Sequence, residues 1–191
     1  VDTQMAWLIN EGTNTLASGQ PPARRGNAHP NIVPYDVFAC ADGHVIVAVG
    51  NDAQFARFCD ATGLGPLHAD AAFATNAARV RNRDALTPRI AAALEPRLRA
   101  EVIAALEAVK VPVGPVHTVP QALASDQAEA RGAVVEMAHP GLGGRAVSLL
   151  ANPLRFSETP VVYRRPPPRM GQDTASVLTG MSETGGAVET D

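Results

Sequence analysis

The dipeptide Asp42-Gly43 constrains this chain more than any other feature. It stands between two β-prone runs, YDVFACA and HVIVAVG, and Asp-Gly in that setting is the strongest short-range hairpin signal. A tight hairpin joins antiparallel strands, whereas parallel strands need a crossover of a dozen residues or more. A second such unit occupies 133–150, where AVVEMAH and RAVSLL flank the turn PGLGG. Hairpins without β-α-β alternation predict an α+β fold with an antiparallel sheet and several helices.

Helical periodicity fills the rest. Residues 1–16 read as a helix, with Met5, Leu8, Ile9 and Leu16 at roughly helical spacing, and residues 17–33 carry too much Gly, Pro and Asn for a helix or inner strand. Asn51 or Asp52 can cap a helix that puts Phe55, Phe58, Cys59 and Thr62 on one face and stops at Gly63. Residues 64–75 form a loop with at most one turn. Thr75, Asn82 and Asp84 then offer successive caps for a helical stretch through Leu98, striped by Leu86, Ile90, Ala93 and Leu94. Pro88 falls in the first turn of a helix begun near Asp84, where its missing N–H costs little. Another short helix, 100–110, carries Val102, Ile103, Leu106 and Val109 on one stripe, and 111–116 crosses as an extended segment. Short helices follow at 119–123 and 126–131. A proline-rich extended arm covers 152–169, and GQDT caps a closing helix, ASVL.

Composition excludes whole classes of function. Hydrophobic residues make up 46% of the chain, too many for wholesale disorder. Sixteen Lys+Arg against nineteen Asp+Glu leave a net charge of −3, without the basic excess that a phosphate backbone requires, so no nucleic-acid partner is expected. No run approaches the ~20 apolar residues of a bilayer span, and no leader pattern opens the chain. The expected setting is soluble and cytoplasmic, without a membrane partner. Cys40 and Cys59 sit in apolar patterns without CxxC spacing and read as buried thiols.

No known catalytic motif is spelled out. Asp2, Glu11, Asp52, Asp60 and Asp70 form no recognisable carboxylate pair, and His29, His44, His68, His117 and His139 share no metal-ligand spacing, so no metal is expected. The GLGG at 141–144 lies between strands with no helix after it, which makes it a hairpin turn and not a phosphate cradle. One loop differs. In GNAHPN, Gly26 permits unusual backbone angles, Pro30 stiffens the chain, and Asn27, His29 and Asn31 present polar groups, a combination suited to covering a ligand. The plain alternative is that Asn27 and His29 tie the loop to its own backbone.

Six blocks in order, RRGNAHPNIVPYDVFACADGHVIVAVGNDAQF, FATNAARVRNRDAL, VPVGPVHTVPQALASDQAEARG, HPGLGG, NPLRFSETP and PPRMGQDT, resemble family III CoA-transferases of the formyl-CoA and carnitine-CoA type. The resemblance runs from the opening helix to about Leu178. Such enzymes pair a Rossmann-like large domain with a small α+β domain through two linkers, and two chains interlock as a homodimer. The resemblance implies that 1–34 is a helix and linker belonging with the large domain, 35–130 the small domain, and 131–181 the return linker with its hairpin, Pro-rich arm and terminal helix. Residues 182–191 then form a disordered tail. The chain is expected to be a fragment.

The same resemblance implies chemistry. Coenzyme A enters as an acyl-CoA substrate and passes to a carboxylic acid through an aspartyl anhydride and an aspartyl-CoA thioester. The nucleophilic aspartate lies upstream of Val1, so no catalytic residue falls in this chain. The loop residues Gly26, Asn27, His29, Pro30 and Asn31 become the substrate-binding loop, although the corresponding loop of the formyl-CoA branch is glycine-rich. Asp52 stands where acyl-CoA racemases of the same superfamily carry a Glu that supports a catalytic histidine. A racemase is therefore one alternative. The other is an orphaned structural or assembly module without activity.

Overall fold

The computed structural model describes residues 1–184, with side chains through 180. The chain divides into two compact units, one covering Val1–Val116 and the other beginning at His117.

The first unit is built on the hairpin. Strands β1 (Tyr35–Cys40) and β2 (Gly43–Ala48) pair antiparallel with Phe38 opposite Val45 and Cys40 opposite Gly43. That register makes Ala41 and Asp42 the two loop residues, one position earlier than the Asp-Gly pair itself. Gly43 is needed where it stands: its φ is 145°, and a Cβ there would meet the Arg99 side chain at 3.0 Å. Alternation buries Phe38 and Cys40 from β1 and Val45, Val47 and Val49 along and just after β2.

Helices cover that buried face. Asn51 caps α3 (Asp52–Thr62) by accepting from the Gln54 N–H, and Gly63 closes it in the left-handed region at φ 76°. The helix buries Phe55, Phe58, Cys59 and Thr62, the face its sequence spacing predicts. A single 3-10 turn, Gly65–Ala69, is the regular structure in the following loop. The helical stretch then splits into α4 (Asn76–Arg81), capped by Thr75, and α5 (Arg83–Leu94), with Leu86, Ile90 and Leu94 inward. Next comes α6 (Arg99–Ala108), which buries Val102 and Leu106. Full burial of each such side chain stabilises by about 1.5–3 kcal/mol, and these residues form one core with Val33, Phe73 and Val111.

Several details differ from the sequence expectation. The opening helix is two, α1 (Asp2–Ala6) and α2 (Ile9–Ser18), because Ile9 at φ 40° interrupts the helical dihedrals. Pro88 lies in the second turn of α5, which begins at Arg83, so it removes an interior backbone hydrogen bond. Residues Val113–Val116 are strand β3, antiparallel to β2 with Gly114 opposite Ile46. Pro115 is tolerated there because β3 is an edge strand of the order β1-β2-β3.

The second unit holds α7 (Val119–Leu123), α8 (Asp126–Ala130) and the hairpin of β4 (Val134–Ala138) and β5 (Ala146–Leu150). A 3-10 turn, Pro140–Leu142, lies in the hairpin connection, capped by the His139 Nδ1 that accepts from the Gly141 N–H. No helix follows that turn, as its sequence predicts. The segment 151–170 has no regular structure, and α9 (Thr174–Thr184) carries the closing helix three residues into the segment expected to be a tail. The remainder of that tail lies outside the described residues. Among the described residues, none from His117 onward is fully buried.

Candidate functional site

The GNAHPN loop is fixed at 29–31 and open at 26–27. Gly26 sits at φ 63° with free space around its α-carbon, a conformation that glycine adopts without strain. Asn27 is exposed, and its side chain has no hydrogen-bond partner among the described residues. His29 is different. Its backbone N–H donates to the Tyr35 carbonyl at 2.9 Å, and its ring stacks on Tyr35 with centroids 5.1 Å apart and planes 12° off parallel.

Both ring nitrogens of His29 are used. Nδ1 accepts from the Asn31 backbone N–H at 3.1 Å, so the neutral ring carries its proton on Nε2. The structure places Asn10 Nδ2 2.9 Å from His29 Nε2, which would set two donors against each other, so the amide is turned over. A donor there must meet an acceptor, which assigns the Asn10 oxygen to that contact. Asn31 forms a reciprocal amide pair with Asn14: Asn14 Nδ2 donates to Asn31 Oδ1 at 3.2 Å, and Asn31 Nδ2 donates to Asn14 Oδ1 at 3.0 Å.

Two further side chains hold the same segment from the helical layer. Arg83 Nη2 donates to the carbonyls of His29 and Pro30, at 2.7 and 3.1 Å. Asn76 clamps the next turn of chain, donating from Nδ2 to the Asn31 carbonyl at 2.8 Å and accepting from the Val33 N–H at 3.1 Å. The Asn76 N–H in turn donates to Asp52 Oδ1 at 2.8 Å. That oxygen also accepts from Nη2 of Arg79, a fully buried guanidinium lying 4.3 Å over the Phe55 ring. Nε and Nη1 of Arg79 donate to the carbonyls of Val33 and Phe73 at 2.6 and 3.0 Å. Each nitrogen of the buried guanidinium thus has an acceptor, which is what makes a cation tolerable in the core.

The structure therefore joins His29, Pro30, Asn31 and Asp52 into one network and leaves Gly26 and Asn27 at its open edge. Asp52 bonds to Asn76 and Arg79, and no histidine is among its described partners. Sequence reasoning did not find Asn10, Asn14, Asn76, Arg79 and Arg83. The pair Asn10 and Asn14 at i, i+4 on a helix was a visible signal. An arginine within the helical block FATNAARVRNRDAL was not, since its spacing reads as solvated surface.

Burial pushes the Cys59 thiol up to about 11 and raises Cys40 in the same direction, leaving both as inert core groups. Asp42 is held low chiefly by the Arg99 backbone N–H, which donates to it at 2.8 Å. Among the described residues, no three His, Cys, Asp or Glu side chains come together as metal ligands, and no helix is long and apolar enough to cross a membrane.

Comparison with known proteins places this geometry in context. The model of CoA-transferase family III matches residues 1–174. The chain is similar to a succinate--glutarate CoA-transferase of Agrobacterium fabrum, 39% identical over 93% of this chain and 44% of that protein. It is also similar to the human succinyl-CoA:glutarate CoA-transferase, 33% identical over 93% of this chain and 40% of its relative. A CAIB/BAIF family protein from Brucella suis superposes with a TM-score of 0.76 at 38% identity, covering 92% of this chain and 45% of that one. The chain thus spans about two fifths of the length of the curated relatives it matches.

Proposed function

The chain belongs to CoA-transferase family III, and on that premise we propose that it is the small-domain part of an enzyme moving CoA from an acyl-CoA to a carboxylic acid. The observation that carries the proposal is the family match over residues 1–174. The relatives named for succinate and glutarate support a short aliphatic dicarboxylic acid as acceptor. In this mechanism an aspartate outside the chain attacks the acyl thioester, expelling CoA thiolate and forming a mixed anhydride. The thiolate then attacks the aspartyl carbonyl, releasing the first acid and leaving an aspartyl-CoA thioester. The acceptor carboxylate attacks that thioester, and the released thiolate finally takes the new acyl group and frees the aspartate.

The role proposed for this chain is to hold the loop 26–31 over the acid. Asn27 is its free polar side chain, while His29 and Asn31 are occupied in fixing the loop. With both nitrogens of His29 bonded, orientation fits it better than proton transfer. The complete enzyme is proposed to be a cytoplasmic homodimer, the assembly that the family resemblance implies. Asp52, the acid that a racemase would direct at a histidine, is taken up by Asn76 and Arg79, which favours the transferase.

The test is an assay of the complete polypeptide with succinyl-CoA and glutarate, following glutaryl-CoA by mass. Product, together with an aspartyl-CoA adduct on the protein, is expected. Exchange of an α-proton for deuterium in acyl-CoA without transfer of CoA would replace this reading with the racemase.

A further inference from the structure

Helix α2 presents two opposed faces. At about 100° per residue, Asn10 and Asn14 lie one turn apart on one side, and Gly12, Thr15 and Leu16 lie on the other. The asparagine face is spent on the loop: Asn10 on the His29 ring, Asn14 on the Asn31 carboxamide. Glu11 beside them pairs with Arg25 at 3.0 Å, just before the loop's Gly26. The opposite face, with Met5, Leu8 and Pro22, forms an apolar groove.

We propose that Asn10 and Asn14 are positioning residues, which set the substrate loop by bonding the side chains of its two polar anchors, His29 and Asn31. The proposal rests on the assignment of loop 26–31 to substrate. Each contact is directional. Asn10 offers an acceptor to the only ring nitrogen of His29 left to donate, and the ring's other nitrogen is already closed by Asn31. Asn14 and Asn31 satisfy each other's oxygen and one N–H apiece, an arrangement that neither Asp nor Leu can reproduce. Arg83 and Asn76 grip only backbone groups of the same segment, so α2 is what fixes the Asn31 amide, and it adds a third constraint to a His29 ring already held by the Tyr35 stack and the Asn31 N–H.

The experiment uses the complete polypeptide. Asn14→Ala and Asn31→Ala should each lower kcat/KM for the carboxylate acceptor by roughly 10-fold, the scale of losing one or two neutral hydrogen bonds, with thermal stability unchanged. Because either change severs the whole reciprocal pair, the double variant should lose no more than the worse single. Full multiplication of the two losses would overturn the pairing. Amide exchange provides a readout independent of turnover. The N–H groups of His29 and Asn31 should exchange faster in Asn14→Ala and Asn10→Leu, and Asn10→Asp, which keeps an acceptor for Nε2–H, should restore protection at His29. Unchanged exchange in both variants would overturn the positioning role even in an active enzyme. A parent enzyme that moves no CoA would instead defeat the functional reading, leaving the exchange result to decide the role of α2.

Discussion

Nη2 of Arg79, a residue with no exposed surface, lies 2.9 Å from Oδ1 of Asp52, whose side chain is 52% exposed. One end of this ion pair is in the core and the other in water. The two partners are therefore unequal. Removing the guanidinium strands the carbonyls of Val33 and Phe73, whereas removing the carboxylate charge in Asp52→Asn leaves an oxygen in place to accept from Arg79 Nη2 and from the Asn76 N–H. Arg79→Leu should cost about 3–5 kcal/mol, the range for breaking a buried charged network. Asp52→Asn should cost under about half of that, because the amide oxygen keeps both hydrogen bonds and only the charge is lost. Urea unfolding of the two variants checks the order; equal losses would contradict it.

Asp42 links the hairpin turn to α6. Its Oδ1 accepts from the first N–H of that helix, at Arg99, and its Oδ2 lies 3.4 Å from Arg99 Nε. These contacts lower its proton affinity in the folded state. A depressed carboxyl contributes stability that is present above its unfolded value near ~4 and is lost as pH falls through the folded value. The stability advantage of the parent over Asp42→Ala should thus be largest at neutral pH and shrink below about pH 4. Melting temperatures of both proteins at pH 7 and pH 3 test the sign, and an advantage that grows on acidification would contradict it.

Cys59 works in the opposite direction. Its folded value, about 11, lies above the ordinary thiol range, so the neutral thiol is favoured in the core. Its contribution is fully present below ~8.5, the usual thiol value, and is lost as pH rises toward 11. Iodoacetamide at pH 8 should leave Cys40 and Cys59 unmodified in the folded chain and label both in denaturant, as read by peptide mass. Labelling of native Cys59 would contradict its burial.

Much of the first unit was legible because its signals were local. The hairpin follows from β-prone runs around one dipeptide, α3 from a cap, a stripe and a terminal glycine. What escaped depended on residues distant in sequence. Strand β3 carries Pro115 and has no turn leading to β2, so its pairing with Val45 and Ile46 could not be read locally. The Leu98 side chain at the start of α6 can accept nothing, and the acceptor for the Arg99 N–H comes instead from Asp42, 57 positions before Arg99. Arg79 sits in a charged stretch, and only folding shows three backbone and side-chain acceptors closing around it. For the loop, its polar residues were visible in sequence, but the partners on α2, α4 and α5 were not.

The two units differ in what holds them. The first buries a continuous apolar core, while the hairpin of β4 and β5 is two-stranded and has no fully buried residue of its own unit. An isolated two-stranded hairpin is marginal in water. In the 191-residue chain, amides of β1 and β2 should resist exchange far longer than those of β4 and β5. Hydrogen exchange read by NMR or mass tests this, with equal protection of both hairpins as the contrary result.

The proposed function assigns the reacting nucleophile to a part of the complete polypeptide other than these 191 residues. Its most direct test is a side-by-side assay of the purified 191-residue chain and the complete polypeptide, each given succinyl-CoA and glutarate. The account predicts glutaryl-CoA from the complete polypeptide and none from the 191-residue chain. Sustained turnover by the 191-residue chain alone would contradict it.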